Sequence, residues 1–340
     1  MGFRLRPRLL TRCWLAVWLL ALLILSLLLG QRYKALVSVG HWIPGHSTAH
    51  ELVSAISHTK RMTSTDASQP QFAQALCREL GLQIFDKKPV PRPGTGSSKR
   101  KVYDLFIIDI ELDWMQIRLN STYDFVDYFV IIEARKSSTG QEKPLILRDN
   151  WDRFSAYHDK IIYHEMVYPI DFSPEQPWDF EDLQRNALFT QVFPHLTGEQ
   201  SPTQGDVLLV ADVDELVRPE ALLVLRACEI PRRLTIHSEL YYYSFQYLHR
   251  GLDWPHPQAT TYQGLSDTIL PSDLRKEDGE RHWGYLAPVI RWPEKDDLWN
   301  GGWHCSSCLA TVDEVLQKVE SFSHVFLNAR NYRDQGLIAV

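Results

Sequence analysis

Gly205-Asp206-Val207-Leu208-Leu209-Val210-Ala211-Asp212-Val213-Asp214-Glu215 decides the fold of this chain. A Gly-Asp turn signal is followed by an uninterrupted apolar run rich in Val. Such a short run reads as a strand buried on both faces, as in a parallel sheet. It then ends abruptly in carboxylates. Ligands of open α/β sheets bind beyond the carboxyl ends of the strands. In an extended chain, residues i and i+2 point the same way, so Asp212 and Asp214 are expected to project together. Two carboxylates held close repel each other and call for a counter-cation. Their oxygens suit a hard divalent ion such as Mg²⁺ or Mn²⁺, which in turn holds a diphosphate.

Working outward from this strand, the chain alternates between the two periodicities. Val102–Ile110, Tyr128–Ile132 and Lys160–Tyr163 read as strands. Glu111–Leu119 and Asp179–Phe193 read as helices, the second with Phe180, Leu183, Ala187, Leu188 and Val192 on one face. A helix over Pro219–Cys228 and a strand over Leu234–Phe245 follow. The stretch from Leu248 to Asn300 reads as loop, and Val312–Val319 as a last helix. The order predicts an α/β fold with a mainly parallel sheet.

The N-terminal part of the chain is of another character. Arg4, Arg6, Arg8 and Arg12 precede an apolar run from Cys13 to Leu29 that is long enough to span a bilayer. The arginine excess before it predicts a type II signal anchor with the N-terminus in the cytosol. The expected organisation is a cytosolic tail over 1–12, an anchor over 13–30, a stem over 31–101 and a folded domain over 102–340. The stem contains Asp86–Lys101, a Pro/Gly/Ser/Lys linker that buries no core, although the stretch around Cys77 is a candidate to pack back onto the domain. A lumenal domain agrees with the Asn120-Ser121-Thr122 glycosylation triplet. It also agrees with four cysteines, Cys77, Cys228, Cys305 and Cys308, as disulfide candidates whose three connectivities are open. A net charge of −6 over 340 residues gives no electrostatic reason to expect nucleic-acid binding.

Several stretches together resemble the glycosyltransferases of family 17, and among them a fungal-type branch. They are Glu111-Leu112-Asp113 with Arg118, Val130-Ile131-Ile132-Glu133, Gly140-Gln141-Glu142-Lys143-Pro144-Leu145 and Asp182-Leu183-Gln184-Arg185. The most specific are Asp212-Val213-Asp214-Glu215 and Gly302-Trp303-His304-Cys305-Ser306-Ser307-Cys308. The resemblance implies a GT-A-like, Rossmann-type nucleotide-sugar fold. It implies transfer of GlcNAc from UDP-GlcNAc, in β-1,4 linkage and with inversion, to mannose of N-glycans in the Golgi membrane. Mn²⁺ or Mg²⁺ is the implied cofactor, with Asp212, Asp214 and His304 as ligands. Glu111, Asp113, Arg118, Glu133, Arg185 and Asp212 are the implied donor-binding residues. Glu215 is the first carboxylate to test as catalytic base beside Asp214. Tyr241, Tyr242, Tyr243 and Trp303 could stack on sugar faces. The family continues past the Tyr332-Arg333-Asp334 region whereas this sequence stops at Val340, which motivates an alternative. In that reading the protein is a non-catalytic, lectin-like or assembly protein that keeps the fold.

Overall fold

The computed structural model describes residues 70–86, 99–276 and 294–321, all within one compact unit, Leu52–Val340. The expected anchor over 13–30 and the first part of the stem lie outside the described residues. Among the described residues no helix is long and apolar enough to cross a membrane.

In chain order the elements are α1 (Pro70–Glu79), β1 (Val102–Ile108), α2 (Leu112–Thr122), β2 (Tyr128–Glu133), α3 (Ile146–Asp149), β3 (Ile161–Glu165), α4 (Pro177–Thr190) and β4 (Val207–Val210). Then come β5 (Glu215–Val217), α5 (Pro219–Ala227), β6 (Arg233–Tyr242), β7 (Gln258–Thr261), α6 (Pro271–Arg275), β8 (Lys295–Ser306) and α7 (Val312–Ser321). The eight strands form one sheet in the order β3-β2-β1-β4-β7-β6-β8-β5. Its first half, β3-β2-β1-β4, is parallel, as the apolar runs predict. The second half is not. β7 runs antiparallel to both β4 and β6, β8 is parallel to β6, and β5 is antiparallel to β8. The sheet is thus mixed with a parallel majority: β7 and β5 run against the other six strands, two reversals that the apolar runs do not predict. Because β7 reverses direction twice over, β6 and β8 run the same way as β1 and β4. The ends of all four thus meet at one sheet edge.

Side chains alternate across the sheet and build a core on each face. Val102, Phe106 and Ile108 of β1 join α1, α2 and α5, while Tyr103 and Leu105 join α4. α4 starts where it does because Pro177 occupies its first turn, with Gln176 and Asp179 capping reciprocally. Its apolar face is narrower than the sequence suggests. Ala187 and Leu188 are buried, but so are Glu181, Gln184 and Arg185, which turn toward the sheet edge.

Residues 70–86, read as stem from the sequence, pack into this body. Ala73, Leu76 and Cys77 are buried, and Cys77 is disulfide-bonded to Cys228 at the end of α5. The other pair is Cys305–Cys308. Asn120 is exposed but lies in α2 rather than in a loop, its side-chain oxygen accepting from the Tyr157 hydroxyl.

Candidate active site at the carboxyl edge of the sheet

After β4 the chain does not stay extended. The Glu215 N–H donates to the Asp212 carbonyl (3.0 Å), which closes a turn, and the Asp212 N–H donates to Glu215 Oε2 (2.9 Å). The turn separates the two aspartates that extended geometry would have aimed together. One side of it is clamped by Arg118, which is fully buried. Its Nε and Nη2 donate to both oxygens of Asp104 (2.7 and 2.6 Å), and its Nη1 donates to the carbonyls of Asp212 and Glu215. Arg118, expected on a phosphate, thus has its donors committed to the protein and positions the turn instead. Asp104 is one of the residues that the sequence motifs do not single out. A carboxylate amid the apolar run Val102–Ile108 needs a buried cation, and that need was the available signal.

Two ion clusters lie on the outer side of the turn. In the first, Asp212 accepts from Arg185 on Oδ1 and Arg275 on Oδ2, both at 2.9 Å, and Arg185 also pairs with Glu181 at 2.6 Å. Arg275 further donates to both oxygens of Glu215 (2.6 and 2.9 Å), and the Trp254 indole N–H donates to Glu215 Oε1 (2.8 Å). Burial works to raise the Asp212 carboxyl, but Arg275 and Arg185 outweigh it and hold the group far below the usual carboxylate range. For Glu215 burial is likewise outweighed by Arg275, and the carboxyl is drawn down to about 2. A base must be exposed to the hydroxyl it deprotonates and poised near the working pH. Glu215 has no exposed surface and a full set of partners. Its expected role as base is corrected to one of holding the turn.

In the second cluster, Lys318 of α7 stands between Asp214 Oδ2 (2.8 Å) and Glu111 Oε1 (3.1 Å). Desolvation would lower the ammonium, but Asp214 and Glu111 keep it well above the ordinary lysine value. The free Asp214 oxygen, Oδ1, faces His304 Nδ1 at 3.6 Å. Trp254 joins the two clusters, its ring stacked on His304 with centroids 4.9 Å apart.

Other expected donor-binding residues stand elsewhere. Glu133 is completely buried. It accepts from the Leu147 and Arg148 N–H groups and the Tyr163 hydroxyl, so it anchors α3 rather than a ribose. Asp113 is exposed and paired with Arg153. Trp303 carries the Arg218 guanidinium 3.8 Å over its ring, which covers one face of the indole. Glu239 lies opposite Trp303 in the β6–β8 register, while Leu240 lies opposite His304. Alternation then puts Glu239 on the other face of the sheet from the ion clusters. The Gly302 position follows from packing: a Cβ there would come within 2.5 Å of the Leu216 carbonyl oxygen and 2.8 Å of Ser238 Oγ.

Whether a divalent cation fits can be asked of the donors. Asp212 does not suit one, since each of its oxygens already faces an arginine. Among the described residues no group of three or more His, Cys, Asp or Glu side chains converges on one point. Asp214 and His304 do suit one. His304 Nδ1 is buried without a hydrogen-bond partner and faces a carboxylate oxygen. Mg²⁺-type sites on phosphate substrates commonly use only one or two protein ligands, with substrate oxygens and water completing the shell. The charge balance agrees. Among the described residues, the ion pairs set Glu111, Glu181, Asp212, Asp214 and Glu215 against Arg185, Arg275 and Lys318, an excess of two negative charges. A diphosphate approaching that excess needs a cation with it. Arg185 Nε, buried and without a hydrogen-bond partner, is a donor left over for an anion.

Comparison with known proteins bears on the family. The model of glycosyltransferase family 17 matches residues 76–268. The human β-1,4-mannosyl-glycoprotein 4-β-N-acetylglucosaminyltransferase is 22% identical over 259 residues, covering 69% of this chain and 46% of the relative. The Rattus norvegicus protein of the same name is 22% identical over 259 residues, with 69% and 45% covered. The chain thus spans about half the length of the curated relatives it matches. A solved mannosyltransferase from Pyrobaculum calidifontis, in complex with GDP-Man and Mn²⁺, is similar over 55% of this chain and 46% of its own. That likeness has 12% identity and a TM-score of 0.25, too slight to place any residue. With the family model covering more than half of the chain, including the Asp212–Glu215 turn, the protein belongs to glycosyltransferase family 17.

Proposed function

We propose that the chain transfers N-acetylglucosamine from UDP-GlcNAc to a mannose of N-glycans, in β-1,4 linkage and with inversion. We propose further that it does so as a single-pass type II protein of the Golgi membrane. The observation that carries the reading is the pair Asp214 Oδ1 and His304 Nδ1, facing each other without a shared partner beside an excess of negative charge. The sugar, linkage and acceptor are those in the names of the relatives.

In this reading Arg118, Arg275 and Glu215 hold the turn after β4 rigid, so that Asp214 meets the donor with no reorganisation. Asp214 and His304 would hold the divalent ion, Mn²⁺ or Mg²⁺. When bound, it offsets the charge that builds on the leaving diphosphate. Arg185 offers Nε–H to a phosphate oxygen, and Arg185 and Arg275 keep Asp212 ionised. Trp254 covers one side of His304 and excludes water from it.

A second reading, a lectin-like or assembly protein that keeps the fold, is favoured by one observation: Asp212, Asp214 and Glu215 each already face an arginine or a lysine. One assay separates the two. The protein is incubated with UDP-GlcNAc, Mn²⁺ and a biantennary N-glycan, and the glycan mass is read. Gain of one N-acetylhexosamine is expected. An unchanged glycan mass with every UDP-sugar offered would support the second reading.

A further inference from the structure

Beyond Tyr242 the chain doubles back along β6. The Tyr242 N–H donates to the Tyr247 carbonyl (3.1 Å), the His249 N–H to the Leu240 carbonyl (2.8 Å), and Ser238 and Trp254 exchange bonds of 2.9 Å. The returning limb ends at Trp254, which donates to Glu215 and stacks on His304. The hairpin is thus continuous with the site. At its tip Tyr243, Phe245 and Tyr247 are 57%, 53% and 58% exposed. Large rings are usually mostly buried, so a run of exposed ones asks for a ligand.

The tip is held, not loose. Tyr243 has φ 61, a conformation that is an outlier for a bulky residue, and its N–H is tied to the Ser306 carbonyl at 3.0 Å. Strain of this kind gathers at ligand clamps. Phe245 is supported from below by Tyr241 at 5.1 Å and Trp114 at 6.1 Å. β6 runs in the same direction as β4, so the tip stands at the same sheet edge as the Asp212–Glu215 turn.

We propose that this tip is the acceptor platform, with the rings of Tyr243 and Tyr247 lying against pyranose rings of a glycan chain that leads past Trp254 to the transfer site. The chemistry favours a carbohydrate over other occupants. A tyrosine ring gives an apolar face to sugar C–H groups and a hydroxyl to sugar hydroxyls. The inference rests on the glycosyltransferase reading, since it names the side on which the acceptor enters.

The test is calorimetry on the full chain with two probes, a biantennary N-glycan and UDP with Mn²⁺. The variant is Tyr243→Asn with Tyr247→Ala, because Asn tolerates the left-handed backbone and both rings are exposed. The glycan Kd is expected to weaken by about tenfold or more, with UDP affinity within about twofold, the loss of one or two stacked rings. An unchanged glycan Kd, or a wild-type protein that binds no glycan, overturns the platform. So does a wild-type dimer in sedimentation that the same variant splits, which would assign the tip to a second copy. A wild type that transfers sugar, with acceptor KM unchanged in the variant, sinks the platform alone. A wild type that binds glycan through these tyrosines yet transfers nothing sinks the transferase reading alone.

Discussion

Arg118 and Asp104 form a pair with side chains 1% exposed on both partners. Removing one partner of such a pair leaves an uncompensated buried charge, whereas replacing both by apolar groups is often tolerated. Arg118→Met should therefore cost about 3–5 kcal/mol in urea unfolding. Arg118→Met with Asp104→Leu should recover much of that stability while the turn, and with it UDP binding, stays impaired. A single variant as stable as wild type would remove Arg118 from this role. Glu215 makes a second prediction at this scale. Its carboxyl is depressed from 4.5 to about 2, burial being outweighed by Arg275. A depressed carboxyl stabilises the fold above its unfolded value and loses that contribution as the pH falls through the folded one. Wild-type stability should thus fall between pH 4.5 and 2, and Glu215→Gln should flatten that fall. Equal slopes in the two proteins would contradict the Arg275 pairing.

At the level of elements, the Cys77–Cys228 bond ties α1 to the end of α5 across 151 residues of sequence. Closing so long a loop restricts the unfolded chain, so Cys77→Ser should lower stability by about 2–5 kcal/mol in thermal or urea unfolding. Little change would mean that α1 is peripheral to the fold. The parallel half of the sheet was legible in the sequence, because Val102–Ile108, Tyr128–Glu133 and Val207–Val210 are short apolar runs buried on both faces. The other half was hidden for a physical reason. Gln258–Thr261 is a central strand made of Gln, Ala and Thr, and its Gln258 and Thr260 side chains are satisfied by the Pro255 and Arg232 carbonyls. Lys295–Ser306 carries charges at its solvent end and two glycines where neighbouring strands press close. Neither has the apolar alternation that marks a strand. In the site, Asp214, His304 and Arg185 could be named from motifs. Arg275, Lys318 and Trp254 could not: Arg275 comes from a stretch read as loop, Lys318 from a helix whose pattern says nothing of a site, and Trp254 from a stretch that marks resemblance rather than a role, and each reaches the edge only through the fold.

For the whole molecule, the arrangement makes one edge of a mixed sheet the place where charge, unfilled donors and exposed rings meet. There, we propose, Asp214 and His304 hold a divalent ion against a nucleotide diphosphate. Calorimetry of UDP binding with and without Mn²⁺ tests it most directly, on wild type, Asp214→Asn, His304→Ala and Glu239→Ala. Mn²⁺ should tighten UDP binding to wild type by about tenfold or more, as a cation offsetting excess charge would. Asp214→Asn and His304→Ala should lose that gain, and Glu239→Ala, on the opposite face, should keep it. UDP affinity that is the same with and without Mn²⁺ in wild type, or a Glu239→Ala variant that loses the gain as fully as Asp214→Asn, would contradict the account.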